Sequence, residues 1–205
     1  MRIVEPWELD EPDPERYCLG LDLGQVSDYT AIAVGRYNAE RKARVVDVVY
    51  LERIGLGTSY PDVVEYVESL LLRPPLAGRC DLVVDATGVG RPVVDLFRER
   101  RLNPVALTIT GGFDVTHEGR DWKVPKRELV AVVQVGLQAR TLRVARDLAH
   151  AETLRGELAA FEIRVTAAAN DTYGAWREGT HDDLVLAVAM VAWWARRAPG
   201  PLVVW

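Results

Sequence analysis

Among 205 residues there are only two cysteines and three histidines, and no apolar run approaches the roughly 18 residues of a membrane span. Cys18 and Cys80 each lie in or beside an apolar strand-like run, which suits buried reduced thiols better than a disulfide framework, and no zinc-ligand spacing exists. The opening MRIVEPWELDEPDPER lacks an apolar core of the kind a secretory leader needs. Together these absences point to a cytoplasmic protein with no membrane partner. There is no G-x-x-x-x-G-K-[ST] phosphate loop; the nearest stretch, ATGVGR at 86–91, lacks both the lysine and the spacing. Nor is there an excess of basic charge. Lys and Arg number 25 against 30 Asp and Glu, a net charge of −5, which taken alone argues against a polyanionic partner. No internal repeat, low-complexity tract or second domain is visible.

What remains is an ordinary globular composition, 49% hydrophobic and 27% charged, enough for one sizeable core. Residues 1–16, rich in acids and proline, read as an extended arm or linker, 17–197 as the folded domain and 198–205 as a tail. Strands are predicted at 17–23, 29–36 and 43–53, joined by turns short enough only for antiparallel hairpins. Pro61 opens a helix that Pro74-Pro75 stops. A strand at 81–86, a helix at 92–101 and a strand at 105–109 form a βαβ unit with parallel strands. A loop from Gly111 to about Arg120 follows, then a helix at 125–139, a short edge strand at 142–144 and a helix from about 147 to 161. A weak hairpin, 163–165 with 172–177, precedes a last helix at 181–197. The fold class is therefore α/β, with a mixed five-stranded central sheet of three antiparallel strands and a parallel βαβ, flanked by helices.

The stretch YCLGLDLGQVSDYTAIAV at 17–34 sets an aspartate at the end of an apolar strand. A lone buried carboxylate costs several kcal/mol unless it is paired, hydrogen-bonded or bound to metal. Capping of the turn at Gly24 is the ordinary explanation for Asp22, but two further acidic positions share its setting. Asp85 ends the strand of the βαβ unit, and Asp182-Asp183 opens an apolar helix. Acids at the carboxyl ends of strands can converge, although aspartates at a helix start are also stabilised simply as caps. Converging carboxylates raise one another's pKa unless a cation lies between them. Oxygen-only ligands suit Mg²⁺ or Mn²⁺ rather than zinc, and two such ions about 4 Å apart support phosphodiester hydrolysis. The order of elements is that of the ribonuclease H-like fold. Charge is also uneven: residues 120–146 carry Arg120, Lys123, Lys126, Arg127, Arg140, Arg143 and Arg146 against Asp121 and Glu128, a local basic segment of the kind a phosphate backbone needs.

With GLDLGQVSDYTAIAV at 20–34, VVDATGVGRPVVDLF at 83–97, TITGG at 108–112, WKVPKRELV at 122–130 and GTHDDLVLAVAMVAWW at 179–194, the chain resembles the nuclease domain of phage large terminase subunits. The resemblance implies a metal-dependent endonuclease that cuts duplex DNA concatemers during genome packaging, in a bacterial or phage-infected cell. It implies metal ligands at Asp22, Asp85 and the Asp182-Asp183 pair, with Asp28 as an auxiliary acid, two Mg²⁺ or Mn²⁺ ions, and DNA-backbone contacts at Lys123, Lys126 and Arg127. A packaging ATPase domain, a portal or a small terminase subunit are the partners it implies. Two departures stand out: no ATPase motif is present, and Leu186 occupies a position where some relatives carry another acid. A Holliday-junction resolvase of the same fold, or an inactive nucleic-acid-binding relative, are the alternatives. His181 reads either as a helper near the metals or as a solvent-facing polar residue, and Trp193-Trp194 as packing rather than base stacking.

Overall fold

The computed structural model describes residues 15–24, 28–41, 44–88, 90–168 and 182–199. An apolar strand buried on both faces, β1 (Glu15–Asp22), occupies the middle of a sheet. It pairs antiparallel with β2 (Thr30–Asn38), which pairs antiparallel with β3 (Val46–Ile54). Helix α1 (Tyr60–Leu71) starts where Ser59 Oγ accepts the Asp62 amide, a hydroxyl satisfying one of the free N–H groups of a helix start. The chain then returns as β4 (Cys80–Asp85) alongside β1, and crosses by α2 (Gly90–Glu99) to β5 (Val105–Thr110), all parallel. This is the three-strand meander and βαβ unit expected from the sequence.

The sheet is larger than five strands. A hairpin, β6 (Thr116–Glu118) and β7 (Asp121–Pro125), fills much of the predicted loop, with β7 parallel to β5. Its two-residue turn places Gly119 at φ +57°, a conformation glycine adopts at no steric cost; strands of three and five partly polar residues carry too little pattern to be seen in the sequence. After α3 (Lys126–Gln138), β8 (Leu142–Val144) pairs parallel with β3. The final order is β6-β7-β5-β4-β1-β2-β3-β8.

Helix α4 (Ala151–Ala168) runs through 163–165, where a strand was predicted. Once nucleated, a helix extends at one hydrogen bond per residue, and the alanines at 167 and 168 favour that over a three-residue strand. The partner segment 172–177 and His181 lie outside the described residues. Helix α5 (Asp183–Arg197) is buried on nearly every side, as an apolar helix without a polar face requires. Residues from α3, α4 and α5 pack on one face of the sheet, and α1 and α2 cover the other. Trp193 and Trp194 belong to this core, Trp193 meeting Trp122 edge-on at 5.3 Å. They act in packing.

Candidate functional site

Strands β1, β3, β4, β5, β7 and β8 run in one direction, so their carboxyl ends share one edge of the sheet. Asp22 is the last residue of β1 and Asp85 the last of β4, and since Leu21 is in register with Val84 the two acids are neighbours. The loop after β4 fixes Asp85: its Oδ1 accepts the Thr87 amide at 2.7 Å, while Thr87 Oγ1 accepts the Ile109 amide at 2.9 Å, tying the turn to β5.

The third element is α5, and glycine determines how near it comes. A Cβ on Gly20 would lie 2.3 Å from the Ala187 carbonyl oxygen, and one on Gly35 2.3 Å from Val191 Cγ1. Only hydrogen at these positions lets the helix sit directly on β1 and β2, and its first residue thereby reaches the acidic edge. The result is one cluster. Burial, followed by the charges of Asp85, Asp182 and Asp183 and a hydrogen bond with the Asp85 carboxyl, pushes Asp22 well above the usual carboxylate range. Sequence-predicted Asp22, Asp85, Asp182 and Asp183 are thus brought together; Asp28 lies exposed two residues before β2.

Asp182 occupies the N-cap position of α5 but makes no capping hydrogen bond with its side chain. That work falls to Glu157 of α4, whose Oε2 accepts the Val185 amide at 3.1 Å. Arg53, near the end of β3, donates through Nη2 both to Glu157 Oε1 and to Asp183 Oδ1, the latter at 2.5 Å. Asp183 Oδ1 also accepts the Leu184 amide at 3.1 Å. Burial, and then the charge of Asp183, pushes the Glu157 carboxyl up to about 8. Arg53 and Glu157 were not identified from the sequence. A strand-end arginine and a glutamate in a helix carry no local signal, and the two carboxyl partners of Arg53 lie 104 and 130 residues away along the chain.

Asp183 Oδ2 is buried without a hydrogen-bond partner. An orphaned carboxylate oxygen beside two acids that share a hydrogen bond is a donor set for a hard divalent cation. Among the described residues the acids are not drawn around one centre as closely as a finished cation site requires, which is what repulsion between carboxylates dictates when no cation lies between them. The residues fit such an ion in chemistry and burial, with Asp22, Asp85 and Asp183 as its natural holders and Asp182 adjoining.

The basic segment is divided. Lys123 is exposed on β7, and Lys126 and Arg127 begin α3 at the carboxyl end of that strand. They therefore share the acidic edge, three strand spacings from β1, or about 14 Å. Arg127 donates to the Phe113 carbonyl at 2.5 Å and lies 4.3 Å from the centre of its exposed ring. Arg143, by contrast, is on β8 at the opposite side of the sheet, paired with Asp47, and Arg120 pairs with Asp81.

No protein-family model matches the chain, and no curated protein matches it significantly. Solved structures do. The large terminase nuclease from thermophilic phage G20c is 22% identical, with 88% of this chain and 82% of that one covered at a TM-score of 0.55. The human cytomegalovirus terminase nuclease domain is 13% identical over 92% of this chain and 87% of its own, at a TM-score of 0.49. The structures it resembles are terminase nuclease domains, and the fold is ribonuclease H-like.

Proposed function

We propose that this chain is a divalent-metal-dependent endonuclease of the terminase large subunit type, hydrolysing phosphodiester bonds of duplex DNA and cutting concatemers during phage genome packaging. The observation that carries this reading is the convergence of Asp22, Asp85, Asp182 and Asp183 at the carboxyl edge of the sheet, with Asp22 burdened by the other three. Likeness in fold to the phage G20c terminase nuclease supports it. In this reading Asp22, Asp85 and Asp183 hold Mg²⁺ or Mn²⁺, two ions in all, with Asp28 as an auxiliary acid; when bound, the ions supply neutralisation of phosphate charge and activation of water.

The chain's own groups do the rest. The Thr87 amide keeps Asp85 from turning away, and Arg53 holds one oxygen of Asp183 while the other stays buried and unpartnered. Lys126 and Arg127, on the same edge, are suited to hold the phosphate backbone, with exposed Lys123 beside them. The domain that does this is residues 17–197, working in the cytoplasm of a phage-infected bacterial cell, with a packaging ATPase, portal or small terminase subunit to deliver the duplex.

The test is cleavage of plasmid, linear duplex and four-way junction DNA in Mn²⁺, Mg²⁺ and EDTA by the wild type, Asp22→Asn and Asp85→Asn. Metal-dependent cutting of duplex by the wild type, lost in both variants while their circular dichroism is native, is the expected result. Cutting in EDTA or by Asp22→Asn at the wild-type rate would overturn the reading. Exclusive action on junctions would transfer it to a resolvase.

A further inference from the structure

Arg53 is shared between two acids through one nitrogen, Nη2. Its side chain is only 14% exposed, Asp183's 7% and Glu157's 6%, so the three groups meet where water screens their interactions little. The guanidinium carbon lies 5.0 Å from the centre of the Tyr29 ring, a cation–π contact that holds the arginine from the side of the loop after β1. Glu157 is fixed from its other end by the Val185 amide, in the first turn of the helix that carries Asp183. Arg53 thus divides one N–H-bearing nitrogen between two carboxyl groups and engages only one oxygen of Asp183; the other, Oδ2, is buried without a hydrogen-bond partner.

A simple structural ion pair would need only one acid. With Asp183 alone as its partner, Arg53 would be drawn wholly onto that carboxylate and would neutralise it. Glu157 divides the arginine's attraction, so Asp183 is oriented by a charged hydrogen bond yet retains donor strength on its second oxygen. Groups that orient a ligand through a hydrogen bond typically alter metal affinity or activity by about 10–100-fold when removed.

We propose that Arg53 and Glu157 are positioning residues for the cation site: Arg53 orients Asp183, and Glu157, while closing the N-terminus of α5, holds Arg53 back from neutralising it. This rests on the nuclease reading above, but it assigns roles to residues on β3 and α4 that lie outside the acidic cluster. Neither residue need touch DNA.

The experiment measures Mn²⁺ binding by electron paramagnetic resonance, and kcat and KM for duplex DNA, in the whole chain and in Glu157→Gln, Arg53→Lys and Arg53→Gln. Glu157→Gln keeps volume and, with its amide oxygen on the Val185 N–H, turns toward Arg53 an amide nitrogen that cannot accept, so Arg53 is released onto Asp183 and the Mn²⁺ dissociation constant should rise about tenfold. Arg53→Gln should lose about tenfold in kcat with KM for DNA unchanged, and Arg53→Lys, which keeps a charge in reach of both acids, should recover most of it. If Arg53→Gln fails to fold, the Mn²⁺ midpoint of Glu157→Gln decides the matter. Mn²⁺ midpoints and kcat within about twofold of wild type in natively folded variants would make the trio an ordinary buried ion pair and overturn the proposal alone. No Mn²⁺ binding by the wild type would remove it together with the nuclease reading.

Discussion

An isolated aspartate at the end of a buried strand is ambiguous, and in this molecule Asp22 is not isolated. Asp22 is raised by burial and then by three other carboxylates, an arrangement that works against the metal-free fold. Asp22→Asn should therefore do two opposite things. It should abolish cleavage, and it should stabilise the metal-free protein, because an amide can donate to Asp85 where a carboxylate repels it. A gain of about 1 kcal/mol corresponds to about 2–4 °C at this chain length, readable by calorimetry in EDTA. A lower melting temperature than wild type would show that Asp22 serves as a structural cap. For the wild type, saturating Mg²⁺ or Mn²⁺ should raise the melting temperature by mass action, and Asp85→Asn should lose most of that rise.

At the level of elements, the approach of α5 to the sheet sets the site, and two glycines set that approach. Gly20→Ala would bring a methyl group to 2.3 Å from the Ala187 carbonyl, so helix or strand must move. The expected cost is about 1–3 kcal/mol, with cleavage falling further than stability alone explains because Asp183 moves with its helix. Gly156 on α4 makes the control: an added Cβ meets nothing within 4 Å, and Gly156→Ala should stabilise by about 0.5–1 kcal/mol. Urea midpoints measure both. At the far edge, β8 is held to β3 by Arg143, whose Nε and Nη2 donate to the two oxygens of Asp47 at 2.6 and 2.9 Å. The Arg143 hydrogen bond holds the Asp47 carboxyl below its ordinary value. A carboxylate lowered in the folded state contributes stability that is complete above its unfolded pKa of about 3.9 and is lost as pH falls toward the folded value. Wild-type urea midpoints should accordingly decline more steeply below about pH 4 than those of Asp47→Asn; parallel profiles would show the pair to be a screened surface contact.

For the molecule as a whole, the electrostatics are those of an acidic body, net −5, with a few cations on the edge that carries the acids. DNA affinity should be weak near physiological salt and dominated by a handful of phosphate contacts. Replacing Lys123, Lys126 or Arg127 singly should weaken binding about equally for all sequences and flatten the slope of log K against log salt by nearly one per lost contact. The same replacement at Arg143, on the opposite side of the sheet and already paired with Asp47, should leave the slope unchanged. Fluorescence anisotropy across a salt series measures both, and equal slopes for all four variants would show that the β7 edge is ordinary solvated surface.

The sequence by itself determined the local elements and the chemistry at their ends. Apolar runs, prolines and turn residues located the meander, the βαβ unit and the last helix, and acids at 22, 85 and 182–183 marked the edge where carboxylates gather, because strand direction follows from connection length. The tertiary structure decided what depends on strand order and close packing. It put β7 and β8 on opposite sides of the sheet, dividing a basic segment that is continuous in the chain. It also brought Arg53, Glu157 and Asp183 into one buried group. No local pattern encodes such a contact: each residue's propensity is satisfied by its own strand or helix, and the meeting exists only once α4 and α5 have packed on the sheet.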